Sequence, residues 1–146
     1  IINSWEVPHN LIEIEFTETT YTDKEDKLRS TLDLLKKGEV SSSIDDFGSG
    51  YSSLSLLQNL DFDIIKLDKS LIDTLITKEK SLKVVKNIVR MAKDLNMSVL
   101  AEGVESKNEY DVLSELDCDM IQGYLFDKPL STQEFENRLI QKHYTV

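Results

Sequence analysis

Short apolar runs and longer apolar stripes take turns along this chain. Five segments read as strands: Leu11–Thr17, Ser43–Phe47, Ile64–Asp68, Ser98–Val104 and Cys118–Tyr124. Helical spacing falls between them. Leu28, Leu32 and Leu35 share one face, with Gly38 in the place of a C-terminal cap. Leu54, Leu57 and Leu60 suggest a short helix, and Val84, Val85, Ile88, Val89, Ala92 and Leu95 a longer one. Ser106 with Glu109, and Ser131 with Glu134, have capping-box spacing ahead of Tyr110, Leu113 and Leu116, and of Phe135 and Leu139. Strand starts recur at roughly the length of a βα unit, which predicts right-handed crossovers and a parallel sheet. Periodicity leaves two architectures open: a doubly wound sheet, or part of a barrel.

A parallel strand covered on both faces should be almost wholly apolar. These strands break that rule near their C-terminal ends. Glu15 follows Ile12 and Ile14; Asp45 and Asp46 follow Ile44; Lys66 lies between Ile65 and Leu67, with Asp68 next; Glu102 follows Val99–Ala101; Gln122 follows Ile121. Alternation puts Glu15 opposite Ile14 and Phe16, and Lys66 and Asp68 opposite Ile65 and Leu67. If the apolar face meets helices, the polar residues converge at a barrel mouth. Asp45 and Asp46 diverge in a regular strand, so both reach the mouth only if the strand ends there, and Gly48 and Gly50 suit such a turn.

Four crowded carboxylates repel one another, and one lysine compensates only in part. Divalent cations resolve this. Hard oxygen donors favour Mg²⁺ or Mn²⁺ over Zn²⁺, and bridging carboxylates suit two ions about 3.5–4 Å apart, an arrangement fit for phosphodiester hydrolysis. Glu13 shares the face of Glu15 but sits deeper in the strand, as a structural pair or lower-layer residue.

Composition narrows the rest. The 146 residues are 40% hydrophobic and 30% charged, which suits one globular domain. The net charge of −10 disfavours electrostatic binding of DNA or RNA. No apolar run is long enough to span a membrane. The single cysteine excludes an internal disulfide or a zinc site built mainly from cysteines. Cys118 reads as a small core residue, His9 and His143 as solvated, and the Lys78–Lys86 charges as a solvated helix start. Gly48-Ser49-Gly50 has Ser53 where a dinucleotide fingerprint needs its third glycine. The start, IINSWEV, reads as a cut edge, and a closed eight-fold barrel takes about 250 residues.

The segment Asp45-Asp46-Phe47-Gly48-Ser49-Gly50-Tyr51-Ser52-Ser53-Leu54 resembles the DDFG(T/S)GYSSL motif of EAL domains, bacterial phosphodiesterases that hydrolyse cyclic di-GMP to linear pGpG. Glu15-Phe16-Thr17-Glu18-Thr19, Lys66-Leu67-Asp68, Ala101-Glu102-Gly103-Val104-Glu105 and Gln122-Gly123-Tyr124-Leu125-Phe126 with Lys128-Pro129 agree in order and spacing. The resemblance covers nearly the whole chain. It implies a partial TIM-like (β/α) barrel of about five parallel strands, with residues 1–146 as the C-terminal portion of one EAL-type domain. It implies that Glu15, Asp45, Asp46 and Glu102 bind Mg²⁺ or Mn²⁺, that Lys66 and Glu102 act in catalysis, and that Asp68, Glu105 and Gln122 support the substrate. Glu18 is implied as the anchor of the Phe47–Ser53 loop.

Ser49 replaces the commoner Thr, and Asp61-Phe62-Asp63 stands where Pro-Val-Asp is usual. The namesake Glu-Ala-Leu strand and the strand with a metal-binding asparagine are not in the sequence, so this polypeptide alone is expected to be nearly inactive. Its expected partners are cyclic di-GMP, the missing N-terminal part of the domain, and a second copy through exposed edges or helices near the Phe47–Ser53 loop. Its expected location is the cytoplasm, free or as the cytosolic part of a membrane-anchored sensor. Two other readings stand beside catalysis: a module that binds cyclic di-GMP without cleaving it, and a half-barrel with no chemistry.

Overall fold

The structure, a computed structural model, describes residues 7–17, 25–48 and 53–141. A 3₁₀ turn (His9–Leu11) leads into β1 (Glu13–Thr17). Then follow α1 (Glu25–Lys37), β2 (Ser41–Phe47), α2 (Ser53–Asn59), β3 (Ile64–Leu67), α3 (Lys69–Ile72) and α4 (Glu79–Asp94). β4 (Ser98–Ala101), α5 (Lys107–Glu115), β5 (Met120–Ile121) and α6 (Thr132–Gln141) complete it. All five anticipated strands form; β1, β3, β4 and β5 are shorter than anticipated, and β2 begins two residues earlier, at Ser41.

The sheet order is β1-β2-β3-β4-β5, and every neighbouring pair is parallel. This order decides between the two open architectures. A doubly wound sheet reverses its strand order at a switch point, whereas a barrel adds strands in sequence. The fold is therefore part of a TIM-like barrel, open between β1 and β5 among the described residues.

The register sorts the two faces. Phe16, Ile44, Ile65, Leu67, Val99 and Ala101 turn to one side and are buried with Leu28 and Leu32 of α1, Val85, Val89 and Ala92 of α4, and Leu113 of α5. Phe62 adds an edge-on contact to Phe16, ring centroids 5.8 Å apart. Glu15, Ser43, Asp45, Ile64, Lys66 and Leu100 occupy the opposite side, the concave inner face. β3 is buried at all four positions because it lies in the middle of the sheet.

Three helices end in one way. Glu39, Asn96 and Asp117 adopt positive φ. The next residue's N–H then reaches back to the last turn: Val40 to Leu35 O (3.0 Å), Met97 to Ala92 O (2.9 Å) and Cys118 to Leu113 O (3.1 Å). Each is a Schellman closure that sends the chain straight into a strand. The left-handed residue after α1 is thus Glu39 rather than Gly38. At the N-termini, the Ser106–Glu109 capping box forms, and Ser131 and Glu134 exchange the same reciprocal bonds.

Not every apolar position is core. Leu54, Val84, Leu95, Phe135 and Leu139 are exposed, because each helix buries a narrower stripe than its apolar residues could supply. His9 is half-buried rather than solvated; its Nδ1–H donates to Gly38 O at 2.9 Å, tying the first turn to the end of α1. Glu13 is exposed. His143, Glu18 and residues 49–52 lie outside the described residues.

Candidate active site

Lys66 is the centre of the inner face. It is 5% exposed, and its Nζ lies 2.6 Å from Glu15 Oε1, 2.8 Å from Glu102 Oε1 and 3.2 Å from Asp45 Oδ1. Glu15 comes from the middle of β1, Asp45 from the C-terminal half of β2 and Glu102 from the residue just after β4. The register puts Glu15 and Asp45 on the face of Lys66 but staggers them, Glu15 level with Ser43 and two residues short of Asp45, and the long lysine side chain spans the stagger. Burial alone works against the ammonium. Hydrogen bonds to Glu102 and Glu15, with Asp45 adding to them, outweigh that and hold the Lys66 pKa above the ordinary lysine value. Near neutral pH Lys66 is therefore a fixed cation and proton donor, not a base.

Asp46, expected with those three carboxylates, makes no ion pair with Lys66 among the described residues. β2 does not end at the aspartate pair. A bulge lies between Ile44, which pairs with Ile65, and Phe47, which pairs with Leu67. One strand spends two residues, Asp45 and Asp46, where its partner spends only Lys66. Asp46 takes φ 55° as the extra residue and is exposed, while Phe47 returns to the buried helix-facing side. Gly48 follows at φ 100°, and Leu71 Cδ1 would stand 2.7 Å from any Cβ there.

The supporting residues separate. Asp68 is the N-cap of α3, its Oδ1 accepting from Ser70 N at 3.0 Å, so a structural duty already engages it. Glu105 Oε1 accepts from Lys69 Nζ at 2.9 Å. Gln122 is exposed and holds the strand ends together through its backbone: its N–H donates to Ala101 O (2.9 Å) and its carbonyl accepts from Val104 N (3.1 Å). Beside Glu102 opens a cavity of about 330 Å³ lined by Lys69, Glu102, Glu105, Gln122, Gly123 and Tyr124. A larger, mostly apolar hollow of about 620 Å³ adjoins it through Gln122, Gly123 and Tyr124.

Sequence reasoning passed over Lys69, Gly123 and Ser43. Gly123 permits an extreme backbone approach: a Cβ there would overlap the Val104 carbonyl oxygen and stand 2.7 Å from its carbonyl carbon. In the sequence Gly123 stands only as one residue of the Gln122–Phe126 motif, and no hydrophobic period marks such a contact. Cys118 does behave as a small core residue. It is half-buried, its Sγ–H lies near Val99 O and Met120 O, and burial pushes its thiol up to about 11.

The donor set suits a hard divalent cation. One ammonium among three carboxylates leaves an excess of negative charge, with Asp46 next in the chain. Ser43 Oγ, on the inner face, is buried without a hydrogen bond, and Asp45 Oδ1 beside it has the Lys66 ammonium at 3.2 Å; a cation with its water would satisfy the first and add to the second. As the side chains stand, the carboxylates are gathered on Lys66, and no metal cage of three or more His, Cys, Asp or Glu side chains is arranged among the described residues.

The family model described as "EAL domain" matches residues 1–129. The chain belongs to the EAL domain family. Its fold superposes on the crystal structure of the EAL domain of Mycobacterium smegmatis DcpA with a TM-score of 0.91 at 31% identity, covering 99% of this chain and 65% of that one. A Klebsiella pneumoniae BlrP1 structure, a manganese/cyclic di-GMP complex, gives a TM-score of 0.81 at 34% identity over 88% of this chain and 33% of that one. The cyclic di-GMP phosphodiesterase NbdA of Pseudomonas aeruginosa is 38% identical over 128 residues, 88% of this chain and 16% of NbdA. The chain spans only 16–18% of the length of the curated relatives it first matches. No described helix is long and apolar enough to cross a membrane.

Proposed function

We propose that this chain carries the larger part of a divalent-metal-dependent phosphodiesterase site that hydrolyses cyclic di-GMP to linear pGpG in second-messenger signalling. The observation that carries the reading is the meeting of Glu15, Asp45 and Glu102 on buried Lys66 at one end of the sheet. Relatives named as cyclic di-GMP phosphodiesterases support it. The ligand set assigned here is Glu15, Asp45, Asp46 and Glu102. A pair of Mg²⁺ or Mn²⁺ ions held there supplies Lewis-acid polarisation of the phosphodiester and acidifies the attacking water.

The chain's own residues do the rest. The reaction adds water across one ring P–O bond: oxygen bonds to phosphorus, the ribose oxygen leaves, and that oxygen takes a proton. Lys66, fixed as an ammonium by its carboxylates, orients the water and offsets charge growing on the phosphoryl oxygens. Glu105 and Gln122 line the adjoining cavity and orient the dinucleotide, and Asp68 fixes the turn that follows Lys66. Glu18 is assigned to the Phe47–Ser53 loop. The protein's acidity opposes a dianionic substrate, so binding depends on the cations.

The polypeptide alone is expected to turn over little substrate, because further ligands belong to the N-terminal part of such domains. Its open β1 and β5 edges and the exposed Phe135, Leu139 and Ile140 of α6 favour self-association. Light scattering across a concentration series checks this, and a strictly monomeric species at high concentration contradicts it. The cytoplasm is the proposed location, where the nucleotide is made.

The second reading is a module that binds cyclic di-GMP and leaves it whole. Chromatography of cyclic di-GMP incubated with the chain, the complementary N-terminal part and Mg²⁺ separates the two. Accumulating pGpG supports catalysis; tight binding without product supports sensing.

A further inference from the structure

Lys69 stands at the start of α3, three residues beyond Lys66, and makes no contact with the three-carboxylate cluster itself. Its ammonium reaches across to the turn that follows β4. Nζ donates to Gly103 O at 3.3 Å and to Glu105 Oε1 at 2.9 Å, and pairs with Asp73 Oδ1 at 2.9 Å on its own helix. Its aliphatic stem lies directly over Gly103. A Cβ at Gly103 would meet Lys69 Cγ at 2.6 Å and Cβ and Cδ at 2.8 Å. Gly103 takes φ 70°, a left-handed backbone conformation immediately after Glu102. The turn is otherwise held by Glu102 N to Leu67 O (3.2 Å), Val104 N to Gln122 O (3.1 Å), Leu125 N to Val104 O (3.0 Å) and Glu105 N to Glu109 Oε2 (2.9 Å). All four use the turn's backbone, and none fixes the Gly103 carbonyl.

We propose that Lys69 is a positioning residue: it clamps the Gly103–Glu105 turn from above and so fixes the direction in which Glu102 reaches Lys66. This rests on the reading of Glu102 as part of the hydrolytic site and adds a residue that the reading does not use. The geometry is particular to a long, cationic side chain. The stem fills the space above a glycine, and the head satisfies a carbonyl and a carboxylate on either side of it. Asp73 holds the head from the other direction, so the clamp is anchored to α3 rather than swinging in solvent. Residues that orient a ligand in this way commonly cost 10–100-fold in activity or metal affinity when removed.

Two variants separate clamping from mere stability. Lys69→Met keeps most of the stem over Gly103 and removes the ammonium; Lys69→Arg keeps a cation of similar reach. The first readout is amide hydrogen exchange in the chain itself. Lys69→Met should speed exchange at Val104 and Glu105 by about tenfold while Ile65 and Val99 in the sheet stay unchanged, and Lys69→Arg should restore most of the protection. The second readout is pGpG formation with the remainder of an EAL domain and Mg²⁺ supplied. There Lys69→Met should lower kcat about tenfold with KM within twofold, and Lys69→Arg should recover to within about threefold of wild type.

Unchanged exchange at the turn in Lys69→Met overturns the proposal. So does faster exchange with kcat intact, or an arginine variant that behaves as methionine does. Exchange that rises equally throughout the sheet assigns Lys69 a general structural role and also overturns it. A wild-type sample that forms no pGpG refutes the phosphodiesterase reading instead, and the exchange readout then decides by itself whether Lys69 holds the turn.

Discussion

Single side chains and single missing side chains set the geometry here. Gly123 is the sharpest case, because the Val104 backbone occupies the place of a Cβ. Gly123→Ala should cost about 3 kcal/mol or more, at the upper end of overpacking penalties, since backbone cannot swing aside; urea melts measure it. Asp119 is a second. Its carboxylate receives Val99 N at 2.7 Å and the Lys93 ammonium. Burial opposes its charge, but these bonds prevail and hold its pKa below the ordinary carboxylate value of 3.8. A depressed carboxylate stabilises fully above that value and loses its effect as pH falls through the folded pKa. Asp119→Asn should therefore lose about 1 kcal/mol at pH 7, with the gap from wild type closing below about pH 4 in denaturant melts. Asp63 does the parallel task for β2, accepting from Ser42 N (2.8 Å) and Ser42 Oγ (2.9 Å). Neither aspartate announces itself in the sequence. Both look like loop acids until the N–H of the neighbouring strand's second residue is seen to need a partner.

Elements were legible where period and chemistry agreed. The five strands and both capping boxes follow from alternation and from Ser-x-x-Glu spacing. The bulge in β2 does not, because alternation has no term for an extra residue. What the sequence did carry was its symptom, two adjacent acids that one regular strand could not aim together. The C-terminal caps were half legible: Gly38 drew attention, yet the left-handed residue is Glu39. Glycine is favoured where φ is positive, so Glu39→Gly and Asp117→Gly should each stabilise by about 0.5–1 kcal/mol. Gly38→Ala, at ordinary φ and with its nearest neighbours 3.4 Å away, should be neutral or mildly stabilising. Thermal midpoints of the three variants check both statements, and a loss at Glu39→Gly would contradict the Schellman assignment.

At the scale of the whole molecule, sequential strand order and a polar inner face make one argument. A sheet that buries its helix-facing side so thoroughly has no structural need for Glu15, Asp45 and Glu102 on the other. Three like charges brought together cost stability, and one lysine offsets only part of that cost. The sequence pointed to Glu15, Asp45, Asp46 and Glu102 as a group; three of them gather on Lys66, while Asp46 is the exposed extra residue of the β2 bulge. The sequence could not show that Lys66 would sit at the centre, since that depends on side-chain reach across three strands. Functional sites are where local rules are broken at the expense of stability, and the break here is confined to one rim.

If these carboxylates hold divalent ions for phosphodiester cleavage, as proposed, turnover follows the metal. The direct measurement is pGpG production from cyclic di-GMP against Mg²⁺ or Mn²⁺ concentration, with the N-terminal part of the domain supplied, in wild type and in Glu102→Gln. Saturable metal dependence in wild type, abolition by chelator, and a loss of at least 100-fold, on the order of 3 kcal/mol, in the variant are expected. Product formation that ignores chelator, or that survives Glu102→Gln unchanged, would contradict the proposal.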